Sequence, residues 1–475
     1  MHIRFEGSSA GEVTGSRHYV DASVQGKACR FFVDCGMFQG GRDADEKNLQ
    51  PFGCFPKDLQ FVVLTHAHID HSGLLPRLCA QGFKGPIYCT PATRDLLEVL
   101  LADSAHIQAG ELTRAMVRKE KGKWRGELPE PLYSIDDVAR CLSQVRTVRY
   151  RHPTVVAPGV RIEFFDAGHI LGASSVAIDI EEDGLPAGKK TKRLVFSGDI
   201  GTRDRPVMND PERIESADIL VVESTYGNRL HRTLKETQDE LVAVVTKTME
   251  QGGNVIMPAF AVGRTQEVIA ILFDLVRAKR LPFLSVFVDS PMATRASEIT
   301  EQHTSLLDPQ TRELYQWARK NTNAIRVRYI TEVNDSKTLN TIKSGAIILS
   351  ASGMCEAGRI VHHLFWNLPR PQSAVVITGY QAAGTRGRSL VDGAKTLRLL
   401  GQEVPVKASI HTLGGLSAHG DQADLLWWCR GFGAKPDKVF ITHGEPEPAQ
   451  NFADVLKQEL GWNAVLPKRG EMFPV

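Results

Sequence analysis

The sequence predicts an α/β protein of two domains, and three observations carry the prediction. Five short apolar runs each hand the chain to a histidine or carboxylate. Arg30-Phe-Phe-Val33 delivers Asp34, and Val160-Arg-Ile-Glu-Phe-Phe165 leads to Asp166-Ala-Gly-His169. Arg193-Leu-Val-Phe196 leads to Ser197-Gly-Asp199, Ile219-Leu-Val-Val222 ends on Glu223, and Val439-Phe-Ile441 leads to Thr442-His443. Buried strands with polar residues at their carboxyl ends are how α/β sheets assemble sites. Between about residues 224 and 400 strands alternate with helices, the grammar of a second, largely parallel sheet. Finally, 475 residues exceed what one simple core holds.

The densest chemistry lies at His66-Ala-His68-Ile-Asp70-His71, directly after the apolar run Phe61-Val-Val-Leu-Thr65. The run reads as a buried parallel strand, and Leu74-Leu-Pro76 as the opening of a helix. Four potential metal ligands therefore fall in six positions at a sheet edge. His66 and His68, two apart on extended chain, can point the same way and chelate one ion; Asp70 and His71, around the turn, can serve a second. Imidazole and carboxylate suit zinc and its neighbours.

Farther along, Leu241, Val244, Val245, Thr248 and Met249 form a helical stripe over residues 235–251. The strand Asn254-Val-Ile-Met257 follows, then a helix that starts near Gly263-Arg264 and runs to about Ala278. Strands are expected from Pro282 to Val288, over Ala346-Ile-Ile-Leu349 and over Ala374-Val-Val-Ile377. The loops Ser350-Ala-Ser-Gly353 and Gly379 to Arg388 combine glycine-freed backbone N–H groups with arginine, which suits a phosphodiester, although such loops are also ordinary turns.

Composition narrows the class. Fifty-seven basic against 55 acidic residues leave a formal charge of +2, so a polyanion site must be a local patch. The densest basic stretch is Arg114 to Arg125, either a phosphate track or a solvated helix end. The eight cysteines form no Cys-x-x-Cys pair and read as reduced. No apolar stretch approaches the ~18 residues a membrane span needs, and residues 1–20 carry no signal-peptide pattern. A cytoplasmic enzyme is expected, with no membrane partner.

In these residues and in this order, the chain resembles the metallo-β-lactamase superfamily, β-CASP branch, the RNA-processing nucleases akin to the endonuclease subunit of the cleavage and polyadenylation specificity factor and to free-standing bacterial homologues. The matching motifs are Asp34, His66 to His71, His169 in Gly168-His-Ile-Leu-Gly172, Asp199 in Ser197-Gly-Asp199, Glu223, His419 in Ser417-Ala-His419, and His443. The resemblance implies an αββα sandwich with an inserted β-CASP α/β domain and an active site in the cleft between them. The expected boundaries are 1–215 and 400–475 for the sandwich and 216–399 for the insertion.

By the same resemblance, His66, His68 and His169 bind one metal, Asp70, His71 and His443 bind another, and Asp199 bridges them. Asp34 orients a ligand histidine. The expected cofactor is two Zn2+, with Mn2+ an alternative. The implied reaction is hydrolysis of RNA phosphodiester bonds, in endonuclease or 5′–3′ exonuclease mode. Two metals sharing a water would supply a hydroxide nucleophile, and His419, partnered by Glu223, would assist the leaving group. Asp70, His419 and Glu223 are thus the expected catalytic residues, and Arg264, Ser350, Ser352, Thr378 and Arg386 the expected substrate contacts. RNA is favoured over DNA because His443 stands where DNA-acting members of the branch usually carry an apolar residue. A homodimer is compatible with the family. Two other readings remain: a small thioester or lactone metallohydrolase, whose relatives lack the insertion and the Glu223/His419 pair, and a non-catalytic RNA-binding scaffold, whose relatives lose ligands.

Overall fold

The computed structural model describes residues 1–40, 43–382 and 384–475. The chain divides into two compact units: Met1–Arg203 with Asp210–Leu230 and His419–Val475, and Asp204–Asn209 with His231–Ala418.

The first unit is built on two seven-stranded sheets. One runs in the order Met472–Pro474, His2–Phe5, His18–Val24, Lys27–Val33, Phe61–Val63, Ile87–Cys89, Val145–Thr147; the other runs Ala464–Val465, Lys438–Thr442, Ile219–Glu223, Lys192–Phe196, Ser174–Ile180, Val160–Asp166, Thr154–Ala157. Their facing sides form one core, in which Phe5, Phe31 and Phe61 of the first sheet meet Phe164, Phe196 and Phe440 of the second. All six rings are essentially buried, and each contributes about 1.5–3 kcal/mol of burial energy. The outer face of the second sheet packs Val195, Leu220 and Ile441 against Leu425, Trp428, Phe452 and Leu456 of the helices Gln422–Cys429 and Pro446–Leu460. With helices Leu75–Ala80, Pro91–Glu120 and Ile135–Gln144 also in this unit, the αββα sandwich implied by the resemblance is present.

The expected strands are there. Phe61–Val63 is wholly buried and pairs in parallel with strands on both sides, as its unbroken apolar run requires. Lys192–Phe196, Ile219–Glu223 and Lys438–Thr442 lie side by side in parallel, so their carboxyl ends share one edge. Asp34 and His443, each one residue past its strand, adopt left-handed backbone (φ 61° and 52°) that bends the chain sharply. Non-glycine residues take this conformation rarely, and it concentrates at functional sites.

The second unit carries a fully parallel six-stranded sheet, ordered Ile325–Tyr329, Leu284–Val288, Ala346–Ser350, Val255–Pro258, Ala374–Ile377, Ser409–Thr412. Helices cover both faces. Leu234–Glu250 and Arg264–Arg277 pack on one side and Ile360–Asn367 on the other, giving two apolar clusters. All eight cysteines are free thiols, and every one except Cys54 is buried.

Candidate metal centre and active site

Seven of the expected residues converge in the first unit, most on the loops that follow strand ends, with Asp70 and His71 on the short helix Ile69–Ser72. The carboxylate of Asp199 sits at their centre, and its two oxygens face different histidine sets. Oδ2 lies 3.4 Å from His66 Nε2 and 3.5 Å from His169 Nε2. Oδ1 lies 3.3 Å from His71 Nε2 and 3.7 Å from His443 Nε2. Within the first set, His68 Nδ1 is 3.1 Å from His66 Nε2 and 3.2 Å from His169 Nε2. Within the second, His71 Nε2 and His443 Nε2 are 3.1 Å apart, and Asp70 Oδ2 is 3.5 Å from His443 Nε2.

A cation fits this donor set. Burial holds the His66 and His68 rings below the usual imidazole range, so each ring is neutral and has one nitrogen with a lone pair free for a cation. Asp199 Oδ1 is buried and faces the His71 and His443 ring nitrogens at 3.3 and 3.7 Å with neither in hydrogen-bonding geometry, so a cation between them would satisfy oxygen and nitrogens together. Tetrahedral zinc with Zn–N bonds of about 2.0–2.1 Å would set its nitrogens roughly 3.3 Å apart, close to the separations seen. His66, His68, His169 and Asp199 form one group of converging ligand atoms; Asp70, His71 and His443 form another.

Hydroxyls and a second carboxylate fix these rings. Asp34 accepts from Thr65 N (2.8 Å) and Thr65 Oγ1 (3.0 Å), and His71 Nδ1 lies 2.8 Å from its other oxygen. This contact assigns the proton to Nδ1 and turns Nε2 towards Asp199. At His71 burial opposes the charged form, but Asp199 and then Asp34 outweigh it and hold the ring well above its ordinary value. Asp70 is pushed the other way, down to about 2, because its bond to His443 and the charge of His71 overcome burial. Thr225 Oγ1, 3.1 Å from His443 Nδ1, does for His443 what Asp34 does for His71. Two glycines permit the close approaches. A Cβ on Gly36 would lie 1.6 Å from Asp70 O, and one on Gly201 would lie 2.0 Å from Gly168 O, beside His169.

His419 and Glu223 meet next to this cluster. His419 Nδ1 is 3.2 Å from both carboxylate oxygens of Glu223, and its Nε2 is 3.9 Å from Asp199 Oδ2. Glu223 is buried at the end of its strand, where Ile200 N also donates to it (2.6 Å). The backbone of His419 is held by Thr202 Oγ1, which donates to its carbonyl at 2.8 Å. Burial opposes protonation of His419, yet Glu223 and then Asp199 raise it to about 10. Its side chain remains 21% exposed, so this acid is partly buried yet reachable.

The five expected substrate contacts all lie in the second unit. Ser350 ends the strand Ala346–Ser350 and Ser352 follows it, Thr378 follows the strand Ala374–Ile377, Arg386 opens the helix Arg386–Val391, and Arg264 opens the helix after Val255–Pro258. Arg264 is buried and ion-paired with Glu267. Ser350 Oγ donates to Asp289 O (2.8 Å) and Thr378 Oγ1 to Pro258 O (2.8 Å), both inside the unit. Ser352 Oγ accepts from Glu356 N (3.1 Å), and Arg386 Nη1 donates to Glu356 O (2.7 Å). The same loops carry two half-exposed aromatics that motif reading passes over, Phe260 (45%) and Tyr380 (54%). Gly353 and Gly379 lie against the Phe260 ring. Three glycine-rich loops each following an apolar strand were the available signal.

Comparison with known proteins agrees with this arrangement. The beta-lactamase superfamily domain matches residues 29–251, the Beta-Casp domain 265–390, and the Zn-dependent metallo-hydrolase RNA specificity domain 403–467. A ribonuclease of Thermus thermophilus is 34% identical over 98% of this chain and 98% of its own length. An RNase J-like protein of Methanocaldococcus jannaschii is 28% identical over 95% and 96%. The transcription termination factor FttA of Methanosarcina mazei is 30% identical over 91% of this chain, which spans 66% of that protein. The chain belongs to the β-CASP branch of the metallo-β-lactamase superfamily.

Proposed function

We propose that this protein is a metal-dependent ribonuclease hydrolysing RNA phosphodiester bonds. One observation carries the reading most: the Asp199 carboxylate divides its oxygens between two sets of imidazole ligands, the layout a pair of cations requires. His66, His68 and His169 would hold one cation, Asp70, His71 and His443 the other, with Asp199 shared. Zn2+ is the expected ion and Mn2+ the alternative. Bound there, the cations supply Lewis acidity that activates water and offsets charge on the phosphate oxygens.

The chain's own residues do the rest. Asp34 and Thr225 aim the His71 and His443 rings. Glu223 keeps His419 protonated and points its Nε2 towards Asp199. His419 then donates that proton to the departing sugar oxygen, and Glu223 stabilises the imidazolium until the leaving step begins. In the second unit, Arg264, Ser350 and Thr378 are buried and hold the strand ends through inward bonds, while the partly exposed Ser352, Arg386 and Phe260 ring would meet the RNA strand. Names among relatives support RNA as substrate: a ribonuclease and an RNase J-like protein align over nearly the whole chain.

The test is a denaturing-gel time course on one RNA and its DNA counterpart, with zinc or manganese added. RNA cleavage that disappears in Asp199→Asn supports the reading. A variant that cuts as fast as the parent removes the shared carboxylate from the account.

A further inference from the structure

The helix Pro91–Glu120 is 30 residues long, far longer than its packing demands. Its buried positions are concentrated before residue 106, and beyond that only Ala115 is buried. The far end carries Arg114, Arg118, Lys119, Lys121, Lys123 and Arg125, all exposed. Residues 114–125 hold a net charge of +5, against +2 for the entire chain. Arg114, Arg118 and Lys121 recur at i, i+4 and i+7 and share one face. The chain then folds back over the helix end, Lys123 N donating to Arg118 O (2.8 Å) and Gly122 N to Lys119 O (2.9 Å). Lys123 is thereby brought back beside the last helical turn, and Arg125 follows two residues on.

Some exposed arginines elsewhere are neutralised, Arg140 by Asp137, Arg280 by Asp239, Arg319 by Glu301 and Arg430 by Glu459. Others such as Arg146, Arg312 and Arg398 stand singly among the described residues; what sets the helix end apart is six cations within twelve residues. None of the six cations at the helix end has a carboxylate partner among the described residues. Complementing the helix dipole accounts for cations in the last turn, not for Arg114 or for Lys123 and Arg125 beyond the helix.

The other end of this helix is fixed to the metal centre. Thr90 Oγ1 (2.7 Å) and Thr93 Oγ1 (2.9 Å) both donate to the carbonyl of Gly172, which closes the loop bearing His169. At about 1.5 Å per residue, the helix places its basic end roughly 40 Å from that loop.

We propose that the basic end of this helix is a second RNA-binding site, taking the phosphate backbone of a substrate strand at a distance from the metal centre. The inference rests on the ribonuclease reading. Its occupant is a polyphosphate chain because six exposed cations clustered around a single carboxylate, Glu120, and without ion pairs among the described residues, match repeated phosphates by charge. With phosphates 3.4 Å apart when stacked and roughly twice that when not, spanning 40 Å takes about 6 to 12 nucleotides. A shorter RNA can occupy one site only.

The experiment compares the parent with Arg118→Gln/Lys121→Gln/Lys123→Gln, exposed positions chosen to leave the fold intact, which circular dichroism verifies. Binding of 4- and 30-nucleotide single-stranded RNAs is measured by anisotropy in an Asp70→Ala background, between 50 and 300 mM salt. Three lost phosphate contacts should lower the slope of log K against log salt by about 2 and weaken 30-mer binding on the order of 10- to 50-fold at 0.15 M salt. The 4-mer, and cleavage of it by the otherwise unaltered enzyme, should not change. Unchanged 30-mer affinity and slope, or equal loss for both lengths, overturns the proposal while parental RNA cleavage leaves the nuclease reading standing. Absence of parental cleavage and binding removes both. Loss of binding to anionic phosphatidylserine vesicles with RNA affinity unaltered would reassign the strip to a membrane surface.

Discussion

Replacing Glu223 with glutamine separates the two jobs assigned to the Glu223–His419 pair. The side chains are nearly isosteric, so the contact at 3.2 Å and the bond from Ile200 N survive while the charge goes. At an effective dielectric of about 20, unit charges 3.2 Å apart attract by about 5 kcal/mol, equivalent to roughly 4 on the pH axis, and rehydration returns part of that. His419, raised to about 10 by Glu223 and Asp199 against the opposing effect of burial, must therefore fall by at least one pH unit in the variant. A general acid works only while protonated, so rate is lost as pH rises through its pKa. A depressed pKa moves the alkaline limb of kcat to lower pH. Cations sharing Asp199 draw on that carboxylate and lower the limb in parent and variant alike, so the difference between the two profiles is the readout. The assay is kcat from pH 6 to 10 on a 5′-labelled RNA at saturating metal. His419→Ala, run alongside, should lose about 10²-fold in kcat with metal content unchanged. Superimposable profiles for the parent and Glu223→Gln would refute the proton-donor role, as would metal loss from His419→Ala.

Three further outcomes follow from the same geometry. Asp34→Ala should weaken metal binding about 10- to 100-fold, because His71 loses the group that sets its tautomer; equal chelator-competition curves would show that Thr65 suffices. Because Asp199 and Asp34 hold His71 protonated against burial, a cation arriving at Nε2 must displace a proton. Metal affinity should thus increase with pH and proton release should accompany binding in two buffers of different ionisation enthalpy; a flat profile contradicts this. Phe260→Ala should raise KM for RNA about 5- to 150-fold, the effect of losing one base stack worth about 1–3 kcal/mol. An unaltered KM would make that ring a surface residue without a substrate role.

The convergence of the candidate ligands was largely legible because most of them stand at or just past strand ends, and apolar runs announce strands. Asp34, Asp199, Glu223 and His443 each stand at or just past the end of an apolar run; one such residue is commonplace, and it is the set of them that marks a site. The supporting hydroxyls were not legible. Thr65 and Thr225 act through contacts to residues as far as 218 positions away, which no local pattern encodes. The strand Ser174–Ile180 was missed because it is buried on both faces yet begins Ser-Ser and contains Asp179, so neither alternation nor an apolar run marks it. Ser409–Thr412 escaped for the opposite reason: as a sheet edge it is mostly exposed and polar. The long helix shows why its basic end drew two readings: its charge pattern is visible in the sequence, but the lack of carboxylate partners emerges only once the fold places its neighbours.

The most direct measurement titrates zinc or manganese into metal-stripped protein while following both bound metal and cleavage of an end-labelled RNA beside its DNA counterpart. The account predicts two metal equivalents per chain, with RNA cleavage rising as the sites fill and absent in Asp70→Ala. Full metal loading with neither strand cut would contradict it.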